Sequence, residues 1–472
     1  MQEPGDVSSK SAETPKRQAG SGEETVFDLI GVGFGPANMA LAVLMEEEEE
    51  AGGPAPSRLF LDARPKPAWH PNMLIEGSML QITALKDMAM VRNPQSRFTF
   101  LNYLHEKGRL FEFLNLRDLF PARVEFNDYL SWVAEHLASR VRYGRRVTAV
   151  RAASSPTTGA SGQPVDLLEI EVSTGPGSIP ERYLARNVVV ATGGIPWWPE
   201  GLDLPASGRA FHSSEFLRRR EELFPDRGFD GRFVVVGGGQ SGAELFYNLA
   251  TQYPRAQVIS ALRQFGYKPV DESDFTNSIF YPEMVDFVYD LPKEHRRKVI
   301  DSFRDVNYAV VDHPLIRKIN RLIYDEKVEG KSRLSMESYL ELRRVEERGN
   351  GLRIHFRHRL RDSEHTLDAD GLVLCTGYRW PTRHPLLEDL FPYFQAAEDS
   401  SQSFAIRRDY SLESAPGLGS RVYLQGYCEA THGISETVLS LLPMRAEDIW
   451  RSLLPQLEAQ RERSTAELAS VG

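Results

Sequence analysis

Two segments of the chain share one grammar. "FDLIGVGFGPANMALAV" (Phe27 to Val43) and "FVVVGGGQSGAELF" (Phe233 to Phe246) each read as an apolar strand, a glycine turn and a helix start. A strand that feeds a helix through such a turn belongs in a parallel sheet with helices on its faces. The pattern therefore sets the fold class as α/β with two Rossmann-like dinucleotide-binding domains. A chain of 472 residues is too long for one hydrophobic core, which agrees with two or three domains.

The two turns differ. In the first, Gly31 and Gly33 hold the first two positions of GxGxxG and Pro36 holds the third, just after Gly35. Two glycines still allow a tight turn and close backbone approach to a pyrophosphate. The helix that follows offers N–H donors and a positive dipole end. Proline is harmless at a helix start, where its missing N–H had no partner. Downstream, "RLFLD" ends a strand at Asp62, where a carboxylate binds ribose hydroxyls. Near the C-terminus, "YLQGYCEATHGISETVLSLL" supplies a glycine turn and a helix to close over a long dinucleotide. FAD fits this unit better than a mononucleotide.

The second turn is complete, with Gly237, Gly239 and Gly242. The next strand runs into "ALRQFGYKP", which carries Arg263 and Lys268 and no acid. An acid there binds a ribose 2′-hydroxyl, whereas a base accommodates a 2′-phosphate, so NADPH is expected over NADH. Two strand–Thr-Gly exits, "VVVATGG" (Thr192, Gly193) and "LVLCTGY" (Thr376, Gly377), mark crossings between the units near the cofactors.

These signals divide the chain. Residues 1–24 read as a disordered tail. Residues 25–215 form the first part of the FAD unit, and 228–383 the NADPH unit with a substrate segment at about 270–340. Residues 384–455 return to the FAD unit, and 456–472 form a polar tail. "SRFTFLNYLHEKGRLFEFLN" and "RVEFNDYLSWVAEHLA" carry helical periodicity, with Asn127 or Asp128 expected near a helix start. "VRYGRRVTAVRAA", "DLLEIEVSTG" and the pair around "RGNG" alternate as antiparallel strands.

Other function classes are disfavoured. A formal net charge of −10 argues against nucleic acid as a general partner. No apolar run reaches about 18 residues and no signal peptide is visible, so no membrane partner and a cytoplasmic location are expected. Cys375 and Cys428 fit no metal spacing and are expected as buried free thiols. His70 and His432 lack partner spacing and read as satisfied loop histidines, so no metal site is expected.

One stretch goes beyond nucleotide binding in general: "AWHPNMLIEGSMLQITALKDMAMVRNPQSRFTFLNYLHEKGRL". With "FPARVEFNDYLSWVA", "GGGQSGAELF", "NYAVV", "CTGY" and "THGISETVLSLLPMR" following in order, the chain from about Val26 to Trp450 resembles the flavin-dependent N-hydroxylating monooxygenases. Those enzymes modify L-ornithine or L-lysine for siderophores. The resemblance implies that NADPH reduces FAD, that O₂ then forms a C4a-hydroperoxyflavin, and that one oxygen atom passes to a primary amine. It also implies that NADP⁺ stays bound, and that the protein is a homo-oligomer, a tetramer or dimer. Trp69, Leu80 and Gln81 would lie against FAD, with Gln81 near its reactive face. Arg123 would lie by the flavin and NADP, and Gly239, Gln240, Ser241 and Arg263 would hold NADPH. Lys86 corresponds to the contact with the substrate carboxylate, Asn277 and Asn307 to contacts with the amino-acid head group, and Ser440 to a position near the amine. On the residues alone, Lys86–Asp87 also reads as a local ion pair, the asparagines as turn residues, and Ser440 as bonded to its own backbone.

Where the resembling family carries a bulky aromatic before Lys-Asp and threonine after it, this chain has Ala84 and Met90. That places the amine's identity between L-ornithine, the leading expectation, and L-lysine or a diamine such as putrescine or cadaverine. A two-nucleotide disulfide reductase needs a CxxC that is absent. A Baeyer–Villiger or S-oxygenating flavin enzyme shares both turns but leaves the stretch from Trp69 to Leu110 unexplained.

Overall fold

The computed structural model describes residues 25–153, 165–397 and 400–471. The expected leading tail, 1–24, lies outside the described residues.

The strand Val26–Val32 is buried through its last five residues, as a central parallel strand must be. It lies within a seven-stranded sheet, six strands of which run in the order Val141–Tyr143, Arg58–Asp62, Val26–Val32, Glu181–Val190, Leu168–Ser173 and Arg146–Ala152. The pairs up to Glu181–Val190 are parallel. The last two pairs are antiparallel, as the alternation in sequence predicts. The seventh strand, Arg421–Leu424, pairs in parallel with the end of Glu181–Val190, so the chain returns to its first unit. Helices Phe100–Glu106, Leu110–Asn115 and Arg123–His136 stand where the periodicity placed them. The last of these starts at Arg123, so Asn127 and Asp128 lie inside it rather than at its start. Asn127 is used differently: its Oδ1 accepts the Trp69 N–H at 2.8 Å.

The second sheet is wholly parallel, in the order Leu334–Glu337, Gln257–Ala261, Arg232–Val236, Gly371–Leu374 and Ala210–His212. This corrects the expected boundary. Ala210–His212 pairs with Gly371–Leu374, so the second unit begins by residue 210, and the first part of the first unit ends before 215. A three-residue strand has no alternation to read, and its partner lies far along the chain. A meander of Leu340–Arg348, Gly351–His358 and Ser363–Ala369 covers one face, packing Leu342 and Ile354 on Val234 and Val236. The segment 270–340 is mainly helical, through Pro282–Asp290, Lys293–Ser302 and His313–Val328. Its Ile279 and Val306 form a small core with Ile434 of the returning chain.

The C-terminus also differs from expectation. Residues 456–471 continue the helix Leu442–Val471 instead of forming a loose tail. Leu453, Leu457 and Gln460 extend one buried stripe, and the helix lies against Pro36–Glu50. The glutamines find partners there, Gln456 Nε2 with the Gly419 carbonyl and Gln460 Oε1 with Asn187 Nδ2.

Candidate active site

The first glycine turn is fixed by contact. Gly33 has φ +85°, and a Cβ on it would stand 2.5 Å from the Ala191 carbonyl oxygen. Gly31, two residues earlier, faces the Phe60 ring, and Gly35 caps the helix that opens at Pro36. A Cβ on Gly35 would meet nothing within 4 Å. The turn thus presents an open helix N-terminus, the geometry a pyrophosphate requires. Asn38, which the sequence reading missed, braces it. Asn38 Nδ2 donates to the Gly33 carbonyl at 2.7 Å, and its Oδ1 accepts from Gln425 of the returning chain at 2.9 Å.

Asp62 stands at the strand end as expected, but its carboxylate is already filled. Oδ1 accepts Arg64 N and Nε at 2.8 and 2.9 Å, and Oδ2 accepts the Phe34 N–H and Arg64 Nη2 at 2.8 and 2.6 Å. Four acceptor positions are thereby occupied. A ribose hydroxyl reaches this carboxylate only if the Arg64 side chain yields. The Arg64 contacts and the backbone donors outweigh burial and hold the Asp62 pKa below the usual carboxylate value.

In the second turn, Gly237 has φ +141° and would push a Cβ to 2.3 Å from the Cys375 carbonyl oxygen. Gly242 lies against the Gly237 carbonyl. Gly239 caps the helix Gln240–Gln252 and faces Ala309 of the 307–310 loop. Ser241, in the first turn of that helix, has no side-chain partner among the described residues. Past the strand Gln257–Ala261, Lys268 pairs with Asp305, whereas Arg263 is exposed and has no acid partner among the described residues. Arg359 Nη1 donates to the Arg263 carbonyl at 3.2 Å, a second guanidinium on this edge that the sequence reading missed. Thr376 donates its hydroxyl to the Trp197 carbonyl, and the Gly377 carbonyl accepts from the Trp197 N–H at 2.9 Å. These two residues brace the crossing between units.

The stretch from Trp69 to Leu110 packs against the first unit. Trp69 sets its ring edge-on to Phe126 at 5.7 Å. Leu80 is buried, and its N–H donates to the Pro121 carbonyl at 2.9 Å. Lys86 and Asp87 do not pair with each other. Asp87 is fully buried and accepts the N–H groups of Ala89, Met90 and Phe100 at 2.8, 2.8 and 2.6 Å. Lys86 is part-buried, its pKa lowered by burial, with no carboxylate partner among the described residues. Ala84 is fully buried in the core, so its small side chain does not stand on an open wall. Met90 is part-buried.

Gln81 is exposed, and its Nε2 donates to Asp312 Oδ1 at 2.9 Å. Arg123 opens its helix and grips Glu244 of the second unit with both terminal nitrogens, at 3.0 and 2.7 Å. Glu244 in turn accepts Gln240 Nε2 at 3.0 Å. The residues expected near the flavin and those expected near NADPH are therefore wired together across the boundary.

The substrate candidates divide. Asn277 is exposed at the end of the helical turn Asp274–Asn277, where its Nδ2 donates to the Glu272 carbonyl at 3.2 Å, and among the described residues no hydrogen bond joins it to the other candidates. Asn307 is part-buried, with no side-chain partner among the described residues. Its neighbour Tyr308 donates to Glu429 and lies 3.2 Å from Thr437 Oγ1, tying this loop to the returning chain. Burial raises the Glu429 pKa. Ser440, on that returning chain, is 3% exposed, and its hydroxyl makes no backbone bond among the described residues. It sits in a short 3-10 turn before the last helix rather than in the helix itself.

That turn is held by a buried ion pair that the sequence reading missed. Glu436 Oε1 accepts Arg445 Nη1 at 2.7 Å and the Gly426 N–H at 2.7 Å, and Oε2 accepts the Cys428 N–H at 3.1 Å. Arg445 Nε reaches Gln425 at 3.2 Å, so the pair extends to Asn38 and the first glycine turn. Both cysteines are free, Cys428 buried and Cys375 part-buried, and burial raises both thiol pKa values. His432 is buried, with Nε2 on the Arg408 carbonyl at 3.1 Å and Nδ1 on Thr431 at 2.8 Å. No helix among the described residues is long and apolar enough to cross a membrane.

Comparison with known proteins identifies the family. Residues 25–380 match the model of the family described as L-lysine 6-monooxygenase/L-ornithine 5-monooxygenase. An L-ornithine N(5)-monooxygenase of Burkholderia cepacia is 39% identical over 87% of this chain and 90% of its own. One from Pseudomonas aeruginosa is 37% identical over 92% and 95%. The structure of the Kutzneria sp. 744 ornithine N-hydroxylase with FADred, NADP⁺ and L-orn superposes with a TM-score of 0.84 at 36% identity, covering 91% of this chain and 99% of that one. The chain belongs to the L-lysine 6-monooxygenase/L-ornithine 5-monooxygenase family.

Proposed function

We propose that this protein uses FAD and NADPH to hydroxylate the terminal primary amine of L-ornithine, giving a hydroxylamine for a hydroxamate siderophore or related product. The similar L-ornithine monooxygenases favour L-ornithine over L-lysine, and the observation that favours an amino acid over a diamine is Lys86. A part-buried ammonium with no carboxylate partner among the described residues suits the α-carboxylate of an amino acid, which a diamine lacks. The open helix N-terminus at Gly35 supports FAD in the first unit. The complete second turn, with Arg263 exposed and Arg359 beside it, supports the 2′-phosphate of NADPH.

When bound, FAD reduced by NADPH supplies the oxygen activation. The chain's own residues position and protect. Lys86 holds the carboxylate, and Asn307 holds the head group. Ser440 Oγ accepts a hydrogen bond from the amine nitrogen. The amine must lose its proton to react, and a site that excludes water lowers an ammonium pKa. The linked acids and amides at the boundary hold the two cofactor turns at a fixed separation, and the return segment around Ser440 shields the amine from water.

The exposed apolar side chains Phe111, Leu114, Leu116 and Phe120 support a homo-oligomer, since a second copy would cover them. Sedimentation of the FAD-loaded chain tests this. The substrate reading is tested by Lys86→Ala. The variant should raise the half-saturating L-ornithine concentration by about 10-fold or more, as expected for a charged hydrogen bond, and leave the response to putrescine unchanged. Unchanged L-ornithine saturation contradicts the carboxylate contact.

A further inference from the structure

Asp312 stands just before the helix His313–Val328, at its cap position. An aspartate there ordinarily accepts an N–H of the first helical turn. This one makes no such bond, and Pro314 removes one of the donors. Both of its oxygens reach elsewhere. Oδ1 accepts Gln81 Nε2 at 2.9 Å, and Oδ2 accepts Gln240 Nε2 at 2.9 Å. Gln240 Oε1 accepts the Asp312 N–H, also at 2.9 Å. One glutamine belongs to the first unit, and the other is the opening residue of the helix after the second glycine turn.

An ionised carboxylate only accepts hydrogen bonds, so both glutamine amides must turn their NH₂ groups toward Asp312. Gln240 is doubly determined, because Glu244, held by Arg123, accepts from the same nitrogen. Gln81 has no other side-chain partner among the described residues. Asp312 alone fixes its amide, leaving its second N–H and its carbonyl oxygen free.

We propose that Asp312 is a positioning residue that locks Gln81 and Gln240 in register, so that oxygen transfer in one unit depends on the placement of the nucleotide turn in the other. The inference rests on the reading above, in which Gln81 faces the flavin and Gln240 the NADPH. In Asp312→Asn the new amide offers one acceptor oxygen where two were used. One glutamine must then flip or lose its bond.

The test uses the FAD-loaded full chain carrying Asp312→Asn, Asp312→Ala, Gln81→Ala, or the last two together. Hydroxylated L-ornithine per NADPH oxidised is one readout. The change in the bound flavin's visible spectrum on titration with NADP⁺ is the second. Asp312→Asn should keep the FAD content and unfolding midpoint of the parent, lower product per NADPH about threefold or more, and weaken NADP⁺ about fivefold. Asp312→Ala combined with Gln81→Ala should yield more product per NADPH than the two single losses multiplied together, because part of the acid's effect passes through that amide. A parent-like ratio with a parent-like NADP⁺ titration in Asp312→Asn overturns the inference, as does full additivity in the double variant. If the parent oxidises NADPH but hydroxylates no amine, the substrate reading fails, and the NADP⁺ titration still decides the role of Asp312. Should Asp312→Asn not fold, the comparison of Gln81→Ala with the parent decides instead. An unchanged product ratio in Gln81→Ala refutes the mechanism.

Discussion

Replacing Glu436 by glutamine tests how the return segment is held. The side chain is isosteric, so packing is unchanged and only charge and hydrogen bonding differ. In the parent, the carboxylate accepts the N–H groups of Gly426 and Cys428 and the Arg445 guanidinium, with Arg445 itself 5% exposed. All three partners are donors. A glutamine turns an NH₂ toward at least one of them, leaving a donor facing a donor, and leaves the buried guanidinium without its counter-charge. Removing one partner of a buried pair costs about 3–5 kcal/mol, and the retained amide oxygen recovers part of that, so about 3 kcal/mol is expected. For a unit of this size that lowers the unfolding midpoint by about 6–12 °C. Arg445 also bonds Gln425, which bonds Asn38 at the first glycine turn, so FAD should dissociate faster as well. Thermal unfolding followed by circular dichroism, and flavin fluorescence released on warming, report the two effects. A midpoint within about 1 °C of the parent with unchanged FAD release refutes the claim that this pair holds the turn.

Four further substitutions have defined outcomes. Arg263→Ala should weaken NADPH by about 10–100-fold in steady-state saturation, leave NADH within about twofold, and keep FAD bound. Gly242→Ala, whose Cβ would stand 2.2 Å from the Gly237 carbonyl oxygen, should lose about 2 kcal/mol in denaturant unfolding. Gly35→Ala should unfold like the parent without cofactor, since nothing lies within 4 Å of its Cβ, yet bind FAD more weakly on titration. Burial lowers the His432 pKa from 6.5 to about 3. The unfolded chain therefore binds the extra proton first, so stability is fully present above about 6.5 and is lost as pH falls toward about 3. His432→Gln should flatten that part of the stability–pH curve.

The two glycine turns were legible because their backbone admits few other residues. Gly33 and Gly237 sit at positive φ against a carbonyl, and such positions leave a mark in sequence. The division between the units was legible in part. The strand Gly371–Leu374, before the chain returns to the first sheet, reads clearly, whereas Ala210–His212 is too short to show any period. The continuation of the C-terminal helix past residue 455 was missed because its glutamines look solvated, and only the Gly419 and Asn187 partners account for them. The charged network was the least legible. Glu244, Asp312, Glu436 and Arg445 are ordinary surface types until the fold brings their partners to them from distant segments. Asp62 shows the converse, a residue in the expected place whose acceptors are filled by Arg64, two positions on.

The central claim is that this chain places one oxygen atom on the terminal amine of an amino acid at the expense of NADPH. The most direct measurement incubates the FAD-loaded chain with NADPH, O₂ and equal concentrations of L-ornithine, L-lysine, putrescine and cadaverine, and identifies the products by mass. The account predicts an L-ornithine product heavier by one oxygen atom, with the terminal nitrogen hydroxylated, exceeding the other three products together. A product dominated by a diamine contradicts the assignment of Lys86, and oxidation of NADPH with no oxygenated amine contradicts the claim itself.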